Sequence, residues 1–416
     1  MKIIVLHQFF LEKTGGGGAR WNEMTQVWAN EGHEVTVIAG MVNYITGKKP
    51  MQYKGKYFYK DKDFYPGVDV LRTHVSEAYN VNFLGRLWAY FSFVFSSIYA
   101  GLFMAKGKYD VLIVSSPPLF VGITAYVLKL FRGIPFVFEI RDLWPESAID
   151  TGVVTNSQII KFAYWFESFI YKKASLINVL TPAFKEKLIK EKNVNKDKII
   201  LIPNAADFSL SEKLMIDFDA KEFRRKQGFE DNFVITYVGA HGVANHLIQV
   251  IEAAEKLQNT NIIFQLIGSG MEKEMLKKEA EKRKLKNVVF VDPVPKNEVY
   301  QYILASDMGA SILAKNDTFK TIYSNKTFDY MSCKIPILLL IDGVSRTLVE
   351  AADCGVYAEP ENINEIVEKV NWCMINQSGL PKMGENGYNY AKNYFDRIDL
   401  AKKYIDSIKD KLINVQ

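Results

Sequence analysis

Cysteine is scarce in this chain of 416 residues: Cys333, Cys354 and Cys373, an odd number with no CxxC spacing. That excludes a disulfide framework and a cysteine-built zinc site, and leaves three core thiols suited to a reducing compartment. Net charge is small as well, +5 from 52 basic and 47 acidic residues, too balanced for a nucleic-acid binder although it permits a local basic face. No internal repeat with a period of about 20 to 50 residues is present, and no low-complexity run beyond one glycine tetrad. The residues after Met1 pair no long apolar segment with a small-residue cleavage site, so a secretory leader is not expected. There is no GxGxxG, and the second predicted strand ends Ile38-Ala39-Gly40 without the acid that would hold a dinucleotide ribose, which disfavours a nicotinamide cofactor.

What is present is a long chain with a large core. Its length exceeds the roughly 250 to 300 residues at which single cores stop growing, so two domains of about 200 residues are expected. With 48% hydrophobic and 24% charged residues the composition is that of an ordinary globular enzyme. Short β-branched runs alternate with amphipathic stretches, the pattern of parallel sheets covered by helices. The first half predicts strands at 3–7, 34–39, 68–73, 111–115, 136–139, 176–179 and 199–202. The second predicts strands at 234–238, 262–267, 288–291, 308–312, 337–341 and 356–357. Thr181-Pro182 reads as an N-cap followed by proline at the first helical position, opening a helix to about Lys192. Two facing, doubly wound Rossmann-like halves with an interdomain cleft follow, divided as 1–205 and 206–392 with a hinge in IPNAADFS. Residues 393–416 predict a helix, apolar at Ala401, Tyr404, Ile405, Ile408 and Leu412, that returns to the first half.

Several passages carry chemistry. Residues 325–343 read NKTFDYMSCKIPILLLIDG, a short amphipathic helix, a Lys-Ile-Pro break and an apolar strand. Asp329, one turn inside that helix, can accept from a sugar diol while the free first amides take a phosphate, which points to a sugar nucleotide. Gly15 to Gly18, with Gly17 and Gly18 nearest Arg20, precede a helix and leave room for phosphate or acceptor sugar; the alternative is a flexible loop. Gly239, His241 and Gly242 close the first strand of the second half, and Gly268 and Gly270 form another tight turn with a nucleotide contact or a plain strand-to-helix turn as alternatives. In EIRDLWPES, Arg141, Asp142 and Glu146 follow an apolar strand; the alternative to a catalytic loop is an Arg141 ion pair with Asp142 or Glu146. His7-Gln8, ending the first strand, is a candidate lining of the acceptor site.

Residues 87–105 contain no charge and reach the length of a membrane-spanning helix. Spanning is not expected, because strands before and after the run must join one sheet; the run is expected buried or seated in the interface. The stretch 48–62 is expected as a loop carrying six lysines among aromatic residues, which favours an anionic surface.

Taken together, the glycine loop after the first strand, GHEVTVI, EIRDLWPES, YVGAHG and NKTFDYMSCKIP resemble glycosyltransferase family 4. Within it the chain is similar to the bacterial branch that adds amino sugars such as N-acetylfucosamine in O-antigen and capsule assembly. The resemblance covers nearly the whole chain. It implies a GT-B fold, a UDP-sugar donor held by the second half, an undecaprenyl-pyrophosphate-linked saccharide acceptor held by the first, and transfer with retention. No metal or other cofactor is implied, and no DxD pair at a strand end contradicts that. Asp329 matches the second acid of the family's two-glutamate motif and is implied to hold the ribose hydroxyls. Thr321 stands where the first acid is usual, leaving the donor sugar to the amides of Tyr323, Ser324 and Asn325. Lys326, at the mouth of the same helix, is the expected partner of the leaving diphosphate. Asp142, with Arg141 and Glu146, is implied as the catalytic group that stabilises the oxocarbenium-like transition state. The expected location is the cytoplasm, peripherally attached to the anionic inner face of the cell membrane. A sugar-nucleotide 2-epimerase, or a non-catalytic transferase-like subunit, are the alternatives.

Overall fold

The computed structural model describes all residues except 13–19, 44–45, 151, 153 and 414–416. Two compact units emerge: Met1–Pro203 together with Ile398–Gln416, and Asn204–Arg397. The change-over lies inside IPNAADFS, directly after Pro203.

The first unit is built on β1 (Lys2–His7), β2 (Glu34–Gly40), β3 (Phe58–Tyr65), β4 (Val68–Thr73), β5 (Val111–Ser116), β6 (Phe136–Ile140), β7 (Leu176–Val179) and β8 (Ile199–Leu201). Their order across the sheet is β3-β4-β2-β1-β5-β6-β7-β8. All neighbours are parallel except β3, which runs antiparallel to β4 at the sheet edge. The stretch read as a lysine-rich loop is therefore partly a strand. Its FYKDKDFY alternation gives a polar, charged edge of the kind that resists edge-to-edge pairing. Lys60 pairs with Asp69 on β4 at 3.1 Å, Lys56 lies over the Tyr59 ring, and Lys49 donates to Lys56 O at 3.1 Å, so at least three of those six lysines have partners within the unit.

Six helices of this unit matter below: α1 (Arg20–Asn30), α2 (Phe83–Tyr99), α3 (Val121–Arg132), α4 (Glu146–Asp150), α5 (Ser157–Lys173) and α6 (Pro182–Lys190). The Thr181 hydroxyl accepts from the Phe184 amide at 3.1 Å, with Pro182 at the first helical position, so α6 begins where its cap residues dictate. The last helix, Arg397–Ile408, belongs with this unit from Ile398 onward: the Trp28 indole donates to the Ala401 carbonyl at 2.8 Å, and Tyr404 packs against Trp21 and Trp28.

In the second unit β9 (Phe233–Val238), β10 (Ile262–Ile267), β11 (Val288–Val291), β12 (Met308–Ile312), β13 (Ile337–Leu340) and β14 (Gly355–Tyr357) lie in the order β11-β10-β9-β12-β13-β14, all parallel. Renumbered from β9 this is 3-2-1-4-5-6, the doubly wound order whose switch point falls between β9 and β12. The first sheet has the same reversal between β1 and β5. In such sheets ligands sit beyond the carboxyl ends of the strands flanking the switch, so the ends of β9 and β12, and of β1 and β5, are where chemistry is sought. All three cysteines are free and buried.

Candidate functional site: two switch points

At the second switch point β9 runs into the turn Gly239–Gly242. Gly239 takes φ of +147°, and a Cβ there would lie 3.2 Å from both Lys326 Cε and the Tyr237 hydroxyl. A Cβ on Gly268 would sit 1.9 Å from the Gly239 carbonyl oxygen and 3.5 Å from His241 Nε2, and one on Gly270 would strike the His241 backbone. Only glycines let these two turns close on each other. Lys273 secures the second of them, its buried ammonium donating to Gly268 O at 2.7 Å, Val291 O at 3.1 Å and Asp292 at 2.7 Å. The structure thus brings Gly239, His241, Gly268 and Lys326 together at one strand edge.

His241 is fully enclosed, and neither ring nitrogen has a hydrogen-bond partner among the described residues. Burial, reinforced by Lys273 and Lys277, pushes its pKa down to about 4, so the ring is a neutral donor-acceptor near physiological pH. Gly242 follows with open space where a side chain would be.

The helix Asn325–Ser332 starts at the same edge, with Ser324 as N-cap in extended conformation. Thr327 is the first residue whose amide bonds back, to Ser324 O at 3.2 Å; the amides of Asn325 and Lys326 donate to no described group. Free amides at the positive end of the helix dipole favour an anion. Lys326 lies over the Tyr237 ring, 4.9 Å from its centroid, and burial lowers its pKa to about 8. Asp329 accepts from the Tyr300 hydroxyl at 3.0 Å, and burial raises its pKa to about 6 against the opposing pull of Lys296. Lys296 itself pairs with Asp207. Thr321 is turned away from a carboxylate-like role: its hydroxyl donates to Thr318 O at 2.6 Å within its own short turn. The Tyr330 hydroxyl donates to Thr236 O and Ala310 O, both at 3.1 Å, and accepts from the Val238 amide at 3.2 Å, fixing this helix to β9 and β12. Sequence alone gave no sign of that clamp.

In the first unit, Gly17 and Gly18 lie outside the described residues. Arg20, which follows them, is buried in a chelate: Nε and Nη2 donate to Glu139 at 3.1 and 3.2 Å, Nη2 to Ile202 O at 2.9 Å and Nη1 to Pro203 O. Asn178 donates to Glu139 Oε2 at 2.9 Å. This network ties the start of α1 to the last residues before the change-over.

The structure splits Arg141, Asp142 and Glu146, expected as one catalytic loop, three ways. The Asp142 carboxylate accepts from Ser147 Oγ at 2.9 Å and from the Leu143 amide, bracing the entry to α4; burial raises its pKa. Glu146 turns instead to Lys192 at 2.7 Å, which also binds Glu167 at 2.6 Å, at the wall of a cavity of about 590 Å³ between α5 and the end of α6. Arg141 makes an ion pair with neither acid: its guanidinium forms no hydrogen bond and no close ion pair among the described residues, its Nε is buried and unsatisfied, and the acid that faces it is Glu139, already bound to Arg20. The loop-shaping ion pair weighed as the alternative does not form.

Comparison with known proteins bears on the family and the fold. Residues 15–205 match the family described as Glycosyl transferase 4-like domain, and residues 219–390 match Glycosyl transferases group 1. WcaI of Escherichia coli K12, which carries the name colanic acid biosynthesis glycosyl transferase, is 23% identical over 98% of this chain and 100% of its own. Among solved structures, Anabaena HepE in complex with UDP and glucose has a TM-score of 0.71 at 15% identity, covering 99% of this chain and 100% of HepE. WaaG, a glycosyltransferase involved in lipopolysaccharide biosynthesis, has a TM-score of 0.69 at 15% identity over 98% of this chain and 99% of its own. With a glycosyltransferase family matched along each half and the GT-B fold of two Rossmann-like α/β domains, the chain belongs to the GT-B glycosyltransferases.

Proposed function

We propose that this enzyme transfers a sugar from a UDP-sugar donor, bound by the second unit, to a lipid-linked saccharide bound by the first, with retention of configuration, in the assembly of a surface polysaccharide. The observation that carries the reading is the convergence of Lys326, Asp329, His241 and the Gly239 and Gly268 turns at the switch point of the second sheet. Two glycine turns let a diphosphate approach the backbone, the free amides of Asn325 and Lys326 and the Lys326 ammonium face its charge, and Asp329 accepts from the ribose hydroxyls. Peptide N–H groups and one cation in a partly desolvated site can stabilise the leaving diphosphate without a metal ion. In the retaining step the anomeric carbon–oxygen bond to the diphosphate breaks as the acceptor oxygen bonds to the same face, and the acceptor proton passes to the departing phosphate oxygen. HepE, held with UDP and glucose in the same fold, supports the uridine donor; the resemblance to N-acetylfucosamine transferases supports an N-acetylated amino or deoxy sugar.

Attachment to an anionic inner membrane surface rests on α2 and the turn after it. Phe83–Met104 is long and apolar enough to cross a bilayer, yet only 44% of its apolar window is buried. One face, with Phe93, Val94 and Ser97, packs inward, Ser97 sharing a hydrogen bond with Thr124 of α3 at 2.9 Å. Leu84, Trp88, Phe95, Tyr99 and Phe103 stay exposed. A helix with one buried and one exposed apolar side suits the interface rather than a span. Replacing Trp88 and Phe95 by serine is expected to release the protein from anionic vesicles in a flotation assay; unchanged flotation removes the membrane reading.

The test of the activity is incubation with a panel of nucleotide sugars with and without a prenyl-pyrophosphate-linked acceptor. Transfer supports the proposal; epimer formation replaces it with an isomerase, and binding without turnover with a non-catalytic subunit. EDTA is expected to leave transfer unchanged.

A further inference from the structure

We propose that His7, Ser115 and Arg141 form an anion-binding subsite at the switch point of the first sheet, and that it takes a phosphate or carboxylate carried by the acceptor close to the hydroxyl that is glycosylated. The proposal rests on the transferase reading and adds the chemical class of acceptor that the first unit selects.

Parallel register sets the residues side by side. Leu6 of β1 pairs with Val114 of β5, which puts His7 level with Ser115; Ser115 pairs with Glu139 of β6, and Glu139 with Asn178 of β7. Residues at one level of a parallel sheet point to one face, so four polar side chains form a row across an otherwise apolar surface. The right half of the row is satisfied, Glu139 accepting from Arg20 and Asn178, and Asn178 also bonding the Ile202 backbone. The left half is not. Among the described residues His7, 6% exposed, has no partner for Nδ1, and Ser115, 0% exposed, has none for its hydroxyl. Gln8, next along the chain and 1% exposed, has both amide atoms unpartnered. Arg141, one residue past β6 with its amide on Ser116 O at 3.1 Å, adds a guanidinium with no close ion pair among the described residues, the Glu139 that faces it being bound to Arg20.

Buried polar groups are paired in the great majority of folded proteins, because an orphan keeps the full cost of leaving water. Several such orphans at one switch point, beside a guanidinium whose facing acid is already bound to Arg20, make a polar site where ligands of such sheets lie. The ligand is anionic, because three arginines meet two carboxylates there: Glu12 pairs with Arg72 at 3.0 Å and Glu139 with Arg20 at 3.1 Å, so the charge of Arg141 is the one left over. Arg141 presents a planar fork that fits phosphate or carboxylate oxygens, Ser115 an O–H donor, and neutral His7 a ring nitrogen that serves as donor in one tautomer.

Two sources share this chemistry: the pyrophosphate of a lipid carrier one sugar removed from the accepting hydroxyl, and the carboxylate of a uronic acid. The full-length protein, saturated with UDP so that the second unit cannot take the probe, is titrated calorimetrically at constant ionic strength with inorganic pyrophosphate, glucuronate and methyl glucoside. Binding of pyrophosphate points to the lipid carrier and binding of glucuronate to a uronic acid. In either case Arg141→Gln is expected to weaken binding at least tenfold and Ser115→Ala severalfold, with Arg141→Lys recovering part of the loss. UDP affinity should stay within twofold in all three variants, which also reports that they are folded. The proposal is overturned if no anion binds better than methyl glucoside, or if Arg141→Gln leaves anion affinity unchanged. Failure of UDP itself to bind would instead strike the donor reading, since that measurement involves none of these residues.

Discussion

Lys326 gives a test whose size follows from its surroundings. The ammonium rests over the Tyr237 ring at the mouth of the helix Asn325–Ser332, and burial lowers its pKa from 10.5 to about 8. A diphosphate needs the charged form and, once bound, restores the pKa toward its ordinary value. Between those two values the affinity falls as one over one plus ten to the power of pH minus pKa. From pH 7 to pH 9 the loss is then about tenfold, or about 1.4 kcal/mol. Calorimetric titration with UDP across that range at fixed ionic strength should show the slope, and Lys326→Met should bind weakly with no slope at all. Folding works in the opposite sense. The unfolded chain, with its lysine at 10.5, binds more protons than the folded one between pH about 8 and 10.5, so through this group stability rises with pH in that window. A fall in UDP affinity at pH 9 is therefore not an effect of this lysine on folding. Flat wild-type affinity between pH 7 and 9 would refute the placement of Lys326 on the diphosphate.

Arg20→Met leaves Glu139 charged and buried without its chelate, a loss of about 3–5 kcal/mol in urea unfolding of the first unit; a change below about 1 kcal/mol would show that the network is not needed. Glu146→Gln should keep the transfer rate within a few-fold while reducing stability by roughly 1–2 kcal/mol, since its carboxylate serves Lys192; a hundredfold fall in kcat at constant KM would restore Glu146 to the chemistry. Gly239→Ala, strained at φ of +147° and pressed on Lys326 and Tyr237, should lower UDP affinity at least tenfold and reduce stability by about 1–3 kcal/mol, and unaltered affinity would contradict the close approach of the two turns.

The sheets were legible because their strands are short β-branched runs bounded by turn residues. Thirteen of the fourteen strands lie where those runs predict them. The exception, β3, was hidden by its own function as an edge: FYKDKDFY carries lysines and aspartates that read as loop, and its partner β4 supplies the order that its composition does not announce. Helix starts with explicit caps, such as Thr181-Pro182, were equally readable. Side-chain commitments were not. Glu146 sits five residues from Arg141, yet its partner is Lys192, on a different helix end; Arg20 finds Glu139 across 119 positions. Local spacing cannot rank such partners, because long-range packing decides which acid a cation meets. The Tyr330 clamp escaped notice for the same reason, an apolar helix position that doubles as a three-way hydrogen-bond hub only once β9 and β12 are adjacent.

The two switch points hold their cations differently, and the difference predicts how each should respond to pH. The second sheet uses a lysine, whose charge burial can remove near pH 8. The first uses an arginine, which keeps its charge throughout the accessible range even though burial opposes it. The groups facing that arginine are Glu139, already bound to Arg20, and His7, whose pKa burial above all, with Arg141 and Arg72 adding to it, holds well below the usual imidazole range. Nothing in that set changes protonation between pH 7 and 9. Glucuronate, itself fully ionised throughout, should therefore bind the UDP-saturated protein with level affinity over the interval in which UDP binding falls about tenfold. A parallel decline in both would mean that the anion and the nucleotide share one lysine-dependent site, and the division of labour between the two sheets would be wrong.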